Sequence, residues 1–196
     1  MSLFENQRVD FGGYRFIAGV DEAGRGPLAG PVVVAAVILK PDAFHEALND
    51  SKKLSEKKRE ALYDWVIDNS LAYSIKTVKP NVIDEINILN ATLLGMKTSV
   101  ENLKVKPEIT LFDGNKAPVT TDCICKAIVK GDSKYACIAA ASILAKVTRD
   151  RIMIELDEVY PEYGFKVHKG YPTKKHVEMI KKYGATKEHR MSFNHG

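Results

Sequence analysis

The sequence predicts an α/β fold in which a mixed sheet is flanked by helices. Short apolar runs of strand length alternate along the chain with longer segments whose apolar residues recur at helical spacing. The first two apolar runs are separated only by a short glycine-rich loop, which is typical of an antiparallel hairpin. The later runs alternate with helical segments, which is typical of a sheet layered with helices.

Each apolar run is assigned to a strand and each periodic segment to a helix, in chain order. The strands are expected at 16–20, 28–39, 71–79, 109–113 and 124–129, and the helices near 56–69, 82–103, 134–159 and 173–183. The second of these helices is expected to have Asn81 as its N-cap residue, after Pro80. The pattern becomes helical and basic beyond about residue 155. We therefore expect residues 156–196 to form a helical cap on the core of residues 1–155, within the same structural unit.

Composition indicates an ordinary globular protein. With 196 residues, 45% of them hydrophobic, the chain is large enough to bury one substantial core. No apolar stretch reaches membrane-spanning length, and the first ten residues lack the basic and apolar regions of a signal peptide. A cytoplasmic location and no membrane partner are therefore expected. The three cysteines have neither disulfide nor zinc-site spacing and are expected to act as small apolar side chains.

The most informative segment is residues 16–34, which read FIAGVDEAGRGPLAGPVVV. Its buried strand ends in two adjacent acids, Asp21 and Glu22, where the sheet gives way to solvent or ligand. Two neighbouring carboxylates repel each other unless a cation lies between them, and oxygen ligands suit a divalent metal ion. An isolated Asp-Glu pair is more often a solvated turn. A short loop between two buried strands seldom needs these acids and an arginine for folding, so a binding site is favoured.

The residues that follow, Gly24, Arg25 and Gly26, are suited to phosphate. Glycines let a backbone approach a ligand closely and present amide donors, and arginine carries a permanent positive charge. Acids for a metal ion beside amides and a guanidinium for phosphate indicate phosphodiester chemistry.

Two further acids follow the ends of later strands. Asp113 ends one buried run, and Asp132 comes just before the long helix near 134–159. Because open α/β sheets gather ligands at their strand ends, we expect both to converge with Asp21 and Glu22. Four carboxylates in one cleft favour two Mg²⁺ or Mn²⁺ ions roughly 3.5–4 Å apart. Asp150 is the alternative to Asp132, although ion pairing with neighbouring arginines accounts for it.

Several basic and hydroxyl side chains are candidates for contacts to phosphate. Ser51 and Lys52 lie in a polar loop ahead of a helix, where they could hold a phosphate. The basic cluster at 57–59 is assigned to a solvated helix face. Ser142 and Lys146 are four residues apart and share a helix face, so both could contact phosphates, with core packing as an equal alternative for Ser142.

The motifs together resemble a known family, type 2 ribonuclease H or ribonuclease HII, over about residues 15–193. They are GVDEAGRGPLAGPVV, DSKKL, DEINILNATLLGM, DGNK, KGDSKYACIAAASILAKVTRD, HKGYPT and HRMSF. The resemblance implies a ribonuclease H-like mixed sheet flanked by helices, with a C-terminal helical extension. It also implies a catalytic core in residues 1–155.

The resemblance assigns roles to individual residues. The family's catalytic and metal-binding acids fall on Asp21, Glu22, Asp113 and Asp132. The expected substrate contacts are Gly24, Arg25, Gly26, Ser51, Lys52, Asn115, Lys116, Ser142, Lys146 and Tyr171. The Gly-Arg-Gly element is expected to read the ribose 2′-hydroxyl and the adjacent phosphate. Tyr171 is expected to stack on the sugar of the next nucleotide, although a half-buried turn aromatic would explain this tyrosine equally well without the resemblance.

The implied activity is metal-dependent hydrolysis of the RNA strand of RNA/DNA hybrids. It includes cutting on the 5′ side of ribonucleotides embedded in duplex DNA, leaving 3′-hydroxyl and 5′-phosphate ends, as in ribonucleotide excision repair. Because the sugar upstream of an isolated ribonucleotide has no 2′-hydroxyl, the nucleophile is expected to be water. A monomer is expected. The residues after HRMSF contain no Gln-initiated aromatic peptide of the kind that binds a sliding clamp, so clamp recruitment is not expected.

Two other function classes share part of this pattern. A phosphoacceptor receiver domain also places acids at strand ends around magnesium, but it does not need the Gly-Arg-Gly element or a basic helical cap. A non-catalytic nucleic-acid-binding module would keep the basic surface and lose the acids. The presence of all four acids favours the nuclease.

Overall fold

A computed structural model describes residues 2–48, 54–119 and 122–196 of the chain. The strands are β1 (Ile17–Ala23), β2 (Val32–Leu39), β3 (Ser70–Val78), β4 (Ile109–Asp113) and β5 (Ile124–Ile128). The helices are α1 (Leu3–Phe11), α2 (Glu56–Asp68), α3 (Pro80–Glu101), α4 (Ala136–Val159), α5 (Phe165–His168) and α6 (Lys174–Tyr183). The strands and helices predicted from the sequence are all present, β4 with the predicted bounds and the others with shifted ends, whereas α1 and α5 have no counterpart among the predicted helices.

The strands form one mixed sheet in the order β3-β2-β1-β4-β5. β1 and β3 each pair with β2 in the antiparallel direction, whereas β4 runs parallel to both β1 and β5. The predicted α/β class, the mixed sheet and the hairpin of the first two strands are therefore confirmed. Parallel pairing of β1 with β4 requires a long crossover connection, which contains β2, β3 and the helices α2 and α3.

β2 begins later than predicted. The apolar run 28–39 is expected to be one strand, but β2 starts only after Pro31. Ala29 instead forms an isolated antiparallel bridge with His189. Gly30 and Pro31 separate this bridge from the strand, since neither favours the interior of a sheet. The segment ahead of β2 therefore pairs with the C-terminal part of the chain.

α3 differs from its prediction at its start and in its middle. It begins at Pro80 with Lys79 as the N-cap residue, so the expected cap Asn81 lies inside the helix. Proline suits the first helical position because its φ is already helical and its missing N–H is not needed there. Asn87 interrupts the helix at φ 65° and ψ 164°. Its Oδ1 accepts a hydrogen bond from the backbone N–H of Leu89 at 3.0 Å and thus caps the second half.

Helices cover both faces of the sheet. α4 packs against β1 and β2 on one face, and α3 packs against β1, β2 and β3 on the other. Gly19 of β1 allows a close approach of α4, because an added Cβ would lie 2.2 Å from the backbone of Cys137 and 2.3 Å from that of Ile138. The fully buried alanines of α4 fit the same short separation.

α1 packs against the N-terminal end of α4. Ser2 and Glu5 form a capping box at its start. Gln7 Oε1 accepts a hydrogen bond at 3.0 Å from the backbone N–H of Cys137 in the first turn of α4. The Tyr135 hydroxyl donates to Asp10 at 2.7 Å. The spacing of Ser2 and Glu5 is the sequence signal that could have identified this helix.

The C-terminal part packs beside the loop between β1 and β2. The division expected at residue 155 falls within α4, which extends into both parts. A small apolar cluster joins Leu28 of the loop to Met153, Tyr163 and Phe165. No helix in the described ranges combines the length and hydropathy needed to cross a membrane. The three cysteines are free thiols, which agrees with their expected role as small apolar side chains.

Candidate active site

The parallel register of β1 and β4 brings the carboxyl ends of these strands level. Val20 pairs with Phe112, so the next residue on each strand, Asp21 or Asp113, lies at the same edge of the sheet. Two strands that are distant in sequence therefore deliver one acid each to a single place.

Asp21 is buried, with 6% of its surface exposed. Burial raises the pKa of its carboxyl well above the ordinary value, and the negative charges of Glu22 and Asp113 raise it further. The backbone N–H of Glu22 donates to Asp21 Oδ1 at 2.7 Å, and this bond and one from the Ser142 hydroxyl lower the pKa. Without a nearby cation, the ionised form of this carboxyl is therefore unfavourable.

Ser142 reaches Asp21 because α4 runs alongside β1. Two strand residues, from Gly19 to Asp21, advance about 6.6 Å, and four helical residues, from Ile138 to Ser142, advance about 6 Å. Since α4 touches β1 at Gly19, this matched rise places the Ser142 hydroxyl beside the carboxyl. Ser142 is half-buried and faces the candidate site, so it does not pack wholly in the core.

Glu22 is half-buried beside Asp21. Burial raises the pKa of its carboxyl, Arg25 opposes that rise, and Asp113 adds to it. Arg25 Nη1 lies 3.4 Å from Glu22 Oε1. The other oxygen, Oε2, is buried and has no hydrogen-bond partner among the described residues. A buried carboxylate oxygen in this state is costly, and it suits a metal ligand.

The carboxylate of Asp113 is bound by the backbone of the turn that carries Asp132. The N–H of Gly131 donates to Asp113 Oδ1 at 2.6 Å. Asp132 is the next residue and is buried in the short turn before α4. The structure therefore brings Asp21, Glu22 and Asp113 within electrostatic reach of one another and places Asp132 next to the amide that holds Asp113.

The donor set fits a hard divalent cation in kind, because the four acids offer only carboxylate oxygens. It is not a ready-made coordination shell. Across residues 2–48, 54–119 and 122–196, no group of three or more His, Cys, Asp and Glu side chains is close enough to hold a metal ion as the side chains stand. Cations would have to draw the carboxylates together. The buried Asp21 and the unpartnered Oε2 of Glu22 supply a driving force for this.

Asp150, the alternative fourth acid, has a partner of its own. It is buried on α4, and its Oδ1 accepts a hydrogen bond from Lys146 Nζ at 2.5 Å. Ion pairing therefore accounts for this acid, although the partner is a lysine one turn earlier rather than a neighbouring arginine.

The comparison of Asp132→Asn with Asp150→Asn tests this choice of acid. On the RNA/DNA hybrid that the motif resemblance implies as substrate, we expect Asp132→Asn to lower kcat by on the order of a hundredfold or more, because it removes a charge from the acid cluster. We expect Asp150→Asn to lower kcat less than about tenfold, since it disturbs only the contact with Lys146. Steady-state rates in magnesium decide the matter, and an equal or greater loss at Asp150 would assign the role to Asp150.

A cleft of about 410 Å³ opens beside the acids. It is lined by Gly24–Gly26, here called the GRG loop, and by Ser142, Lys146 and Tyr171. Tyr171 is 47% exposed. A Cβ added at Gly26 would lie 3.6 Å from Tyr171 Cε1, so the edge of the tyrosine ring lies next to the GRG loop in the lining of the cleft.

A second groove of about 230 Å³ adjoins the cleft through Glu22 and Arg25, which line both. Asp113, Asn115 and Lys116 form one side of it, and the second half of α3 forms the other. The structure therefore gathers the predicted Asn115 and Lys116 at the acid cluster.

One basic residue of the cleft is missed by the sequence analysis. The cluster 57–59 is assigned above to a solvated helix face, but Arg59 is half-buried and lines the cleft. Its Nη2 donates to the carbonyl of Leu54 at 2.9 Å. Ser51 and Lys52, the two predicted phosphate contacts that precede it, lie outside the residues that the structure describes.

Two buried arginines support the loop between β1 and β2, and neither is predicted as a site residue. Arg190 donates to the carbonyls of Gly24 at 2.6 Å, Arg25 at 2.9 Å and Gly30 at 2.9 Å. Arg149 Nε and Nη2 donate to the carbonyls of Pro31 and Ala29, and Nη1 to that of Lys169. Gly24, at φ 97°, leaves no room for a side chain, because its Cβ would lie 2.0 Å from Arg149 Nε.

Burial lowers the pKa of both guanidinium groups, that of Arg149 to about 10 and that of Arg190 to about 9, so both stay charged at neutral pH. Backbone carbonyls balance these charges. The HRMSF segment contains Arg190, but nothing in its spacing indicates that the side chain turns inward.

Comparison with known proteins agrees with this geometry. The family model described as Ribonuclease HII matches residues 18–195. The Ribonuclease HII of Caldicellulosiruptor bescii is 56% identical over 181 residues, which is 92% of this chain and 87% of that protein.

Two solved structures share the architecture. The ribonuclease H2 of Pyrococcus horikoshii OT3 has a TM-score of 0.78 and 31% identity, covering 92% of this chain and 94% of that one. The RNase HII of Archaeoglobus fulgidus, solved in a complex with PCNA, has a TM-score of 0.76 and 29% identity over 91% and 95% of the two chains. The expected ribonuclease H-like fold is thus confirmed. Because the family model spans nearly the whole chain and a relative is more than half identical to it, the chain belongs to the ribonuclease HII family, divalent-metal-dependent endoribonucleases that cleave the RNA strand of RNA/DNA hybrids.

Proposed function

We propose that this protein hydrolyses the RNA strand of RNA/DNA hybrids and also cuts on the 5′ side of single ribonucleotides embedded in duplex DNA, leaving 3′-hydroxyl and 5′-phosphate ends. The observation that carries the proposal is the placement of the GRG loop and Tyr171 next to each other in the lining of one cleft that adjoins the buried acids. Such a cleft can read one sugar and its neighbour next to the reacting phosphate. The proposal extends to a monomer that acts in the cytoplasm in the removal of ribonucleotides from DNA.

The four acids would hold two Mg²⁺ or Mn²⁺ ions. Asp21 lies near the end of β1 beside Asp113 at the end of β4, Asp132 follows the amide bound to Asp113, and Glu22 has its Oε2 unpartnered among the described residues. When bound, the metal pair supplies an activated water and neutralises charge on the leaving oxygen. The Ser142 hydroxyl and the N–H of Glu22 keep the Asp21 carboxylate oriented, since both donate to it.

The GRG loop would recognise the ribose. Arg190 donates to the carbonyls of Gly24 and Arg25 and so holds the loop in place. The Arg25 side chain and Gly26 stay exposed to the cleft. A 2′-hydroxyl is both a donor and an acceptor, and it is the group that distinguishes RNA from DNA at one nucleotide. Tyr171 would then stack on the sugar that follows, where a deoxyribose leaves more room than a ribose.

Phosphates on either side of the ribose would meet basic and amide side chains. Arg25 lies between the cleft and the second groove, so it is placed for the phosphate next to the ribose. The remaining proposed contacts are Ser51, Lys52, Asn115, Lys116, Ser142 and Lys146. These contacts position the duplex, whereas the 2′-hydroxyl specifies the cut.

The product ends test the proposal. The substrate is a DNA duplex with one ribonucleotide, end-labelled on the cut strand. Attack by water should leave a 3′-hydroxyl on the upstream DNA and a 5′-phosphate on the ribonucleotide, and a 2′-deoxy or 2′-O-methyl sugar at that position should abolish cutting. Gel mobility of the fragments identifies the ends. A 2′,3′-cyclic phosphate, or cutting of the 2′-deoxy duplex, would reject the proposed mechanism.

A further inference from the structure

We propose that the segment His189-Arg190, together with His176, is a positioning element that sets Tyr171 against the GRG loop. Through this element the C-terminal part would determine how well a ribose followed by a deoxyribose is recognised. The inference rests on the proposed function of the cleft. None of the three residues is assigned above to substrate or metal, and all three are fully or almost fully buried.

Arg190 holds the GRG loop in place. Its guanidinium bridges the carbonyls of Gly24, Arg25 and Gly30, and its own backbone N–H donates to the carbonyl of Leu28 at 2.8 Å. One residue thereby ties both ends of the β1–β2 loop. Because a guanidinium is a planar fork with several donors, it can fix the relative positions of carbonyls as a lysine ammonium cannot.

His189 and His176 are linked to the turn that carries Tyr171, and hydrogen-bond chemistry assigns their protons. The Thr186 N–H can only donate, so His189 Nδ1 accepts from it at 2.9 Å, and in the neutral ring the proton lies on Nε2. That Nε2 lies 3.1 Å from His176 Nε2, which must therefore accept. His176 carries its proton on Nδ1 and donates it to the Tyr171 carbonyl at 2.9 Å.

The two rings are neutral at physiological pH. Burial lowers the pKa of both His176 and His189 to about 4, and the nearby rings of His168 and His195 add to the lowering of both. A neutral pair is required by the hydrogen bonds, because protonation of either ring would remove an acceptor that the chain of bonds uses.

The backbone that carries Tyr171 needs such support. Tyr171 lies between α5 and α6, outside regular structure. Lys169, two residues earlier, has φ 51°, an unfavourable value for a residue with a side chain. The carbonyl of Gly170 accepts from Leu28 N–H at 2.8 Å, which ties this turn to the β1–β2 loop. The Tyr171 carbonyl also accepts from the N–H of Thr173 at 2.8 Å within the turn, so the bond from His176 is the one that connects this carbonyl to the buried histidine rings.

His189 and Arg190 are adjacent in sequence, so one short segment acts on both the GRG loop and the turn that carries Tyr171. His189 also forms the bridge to Ala29, which fixes the segment beside the β1–β2 loop. The distance between the ring of Tyr171 and the backbone of Gly26 is therefore set by the hydrogen bonds of this one segment. The element acts through Tyr171 and the GRG loop and does not touch the acids.

The test uses His176→Asn, which can keep a donor near the Tyr171 carbonyl but loses the acceptor for His189, and Arg190→Lys, which keeps the charge but loses the fork. Phe165→Leu is the matched control, since Phe165 is fully buried in the same ring cluster, 5.5 Å from His176, and makes none of these bonds. Each protein is assayed on a duplex with one ribonucleotide and on an all-RNA/DNA hybrid. Binding of both duplexes to the same variants in an Asp113→Asn background is measured in parallel.

We expect His176→Asn and Arg190→Lys to lower kcat/KM about tenfold or more on the single-ribonucleotide duplex and less than about threefold on the hybrid, with a matching loss of affinity. Phe165→Leu should affect both substrates alike. In a Tyr171→Ala background, His176→Asn should cause no further selective loss, because it acts through that tyrosine.

Equal losses on both substrates, a selective loss in Phe165→Leu, or additive losses with Tyr171→Ala would overturn the positioning role. If Arg190→Lys fails to fold, His176→Asn decides alone. A parent protein that does not cut the single-ribonucleotide duplex would overturn the proposed function and this inference with it, whereas a parent that cuts it with unselective variants would overturn only the inference.

Discussion

Replacing Asp113 with asparagine is expected to abolish cleavage while leaving the fold and substrate binding intact. The amide oxygen can still accept the hydrogen bond from the N–H of Gly131, so the connection between β4 and the turn before α4 is retained. The lost charge is one of those that would hold the metal ions beside Asp21. We expect kcat on a single-ribonucleotide duplex to fall by about a thousandfold or more in magnesium.

The measurement pairs single-turnover rates with affinity for the same duplex and a thermal melt monitored by circular dichroism. Asp64→Asn is the control, because Asp64 is an exposed acid on α2 and its loss changes net charge by the same amount. Retained turnover in Asp113→Asn would remove this residue from the proposed machinery. Loss of the melting transition would give it a structural role instead.

Replacing Asp21 with asparagine is expected to abolish cleavage and at the same time to stabilise the metal-free protein. The pKa of the Asp21 carboxyl is raised well above its ordinary value by burial, then by the charges of Glu22 and Asp113. The folded state therefore binds this proton more tightly than the unfolded state does. Stability of the metal-free protein falls as pH rises from the ordinary carboxyl pKa through the raised one.

Asparagine removes that ionisation and keeps an oxygen to accept from the N–H of Glu22. At pH 7.5 in EDTA we expect a gain on the order of 1–3 kcal/mol, or about 2–4 °C in Tm for each kcal/mol in a chain of this size. Near pH 4, where Asp21 is already protonated in the folded parent, the gain should vanish. Histidine titration affects both proteins equally and cancels in the comparison.

Thermal melts of the parent and Asp21→Asn between pH 4 and 8 measure this effect. With excess magnesium the difference in Tm between Asp21→Asn and the parent should shrink or change sign, because only the parent gains stability from the bound cation. A lower Tm for Asp21→Asn in EDTA at pH 7.5, or a difference independent of pH, would contradict the assignment of Asp21 as a strained, cation-requiring acid.

The sequence by itself determined the alternation of strands and helices and the positions of the acids at strand ends. Apolar runs of strand length are expected to be buried, and a charged residue that ends such a run is expected near the end of its strand, so Asp21 and Asp113 could be placed there from local pattern, although β1 continues to Ala23. Gly24 and Gly26 indicated backbone access by the same local reasoning. The motif resemblance added Tyr171, for which local pattern predicts only a turn aromatic.

Tertiary structure alone decided how these pieces meet. The pairing of Val20 with Phe112 sets Asp21 level with Asp113, and register between distant strands depends on the packing of the whole sheet. Arg149 and Arg190 are buried because carbonyls from the β1–β2 loop and the Tyr171 turn surround them. A charge can leave water only where such partners converge from separate segments, and that convergence has no local sequence pattern.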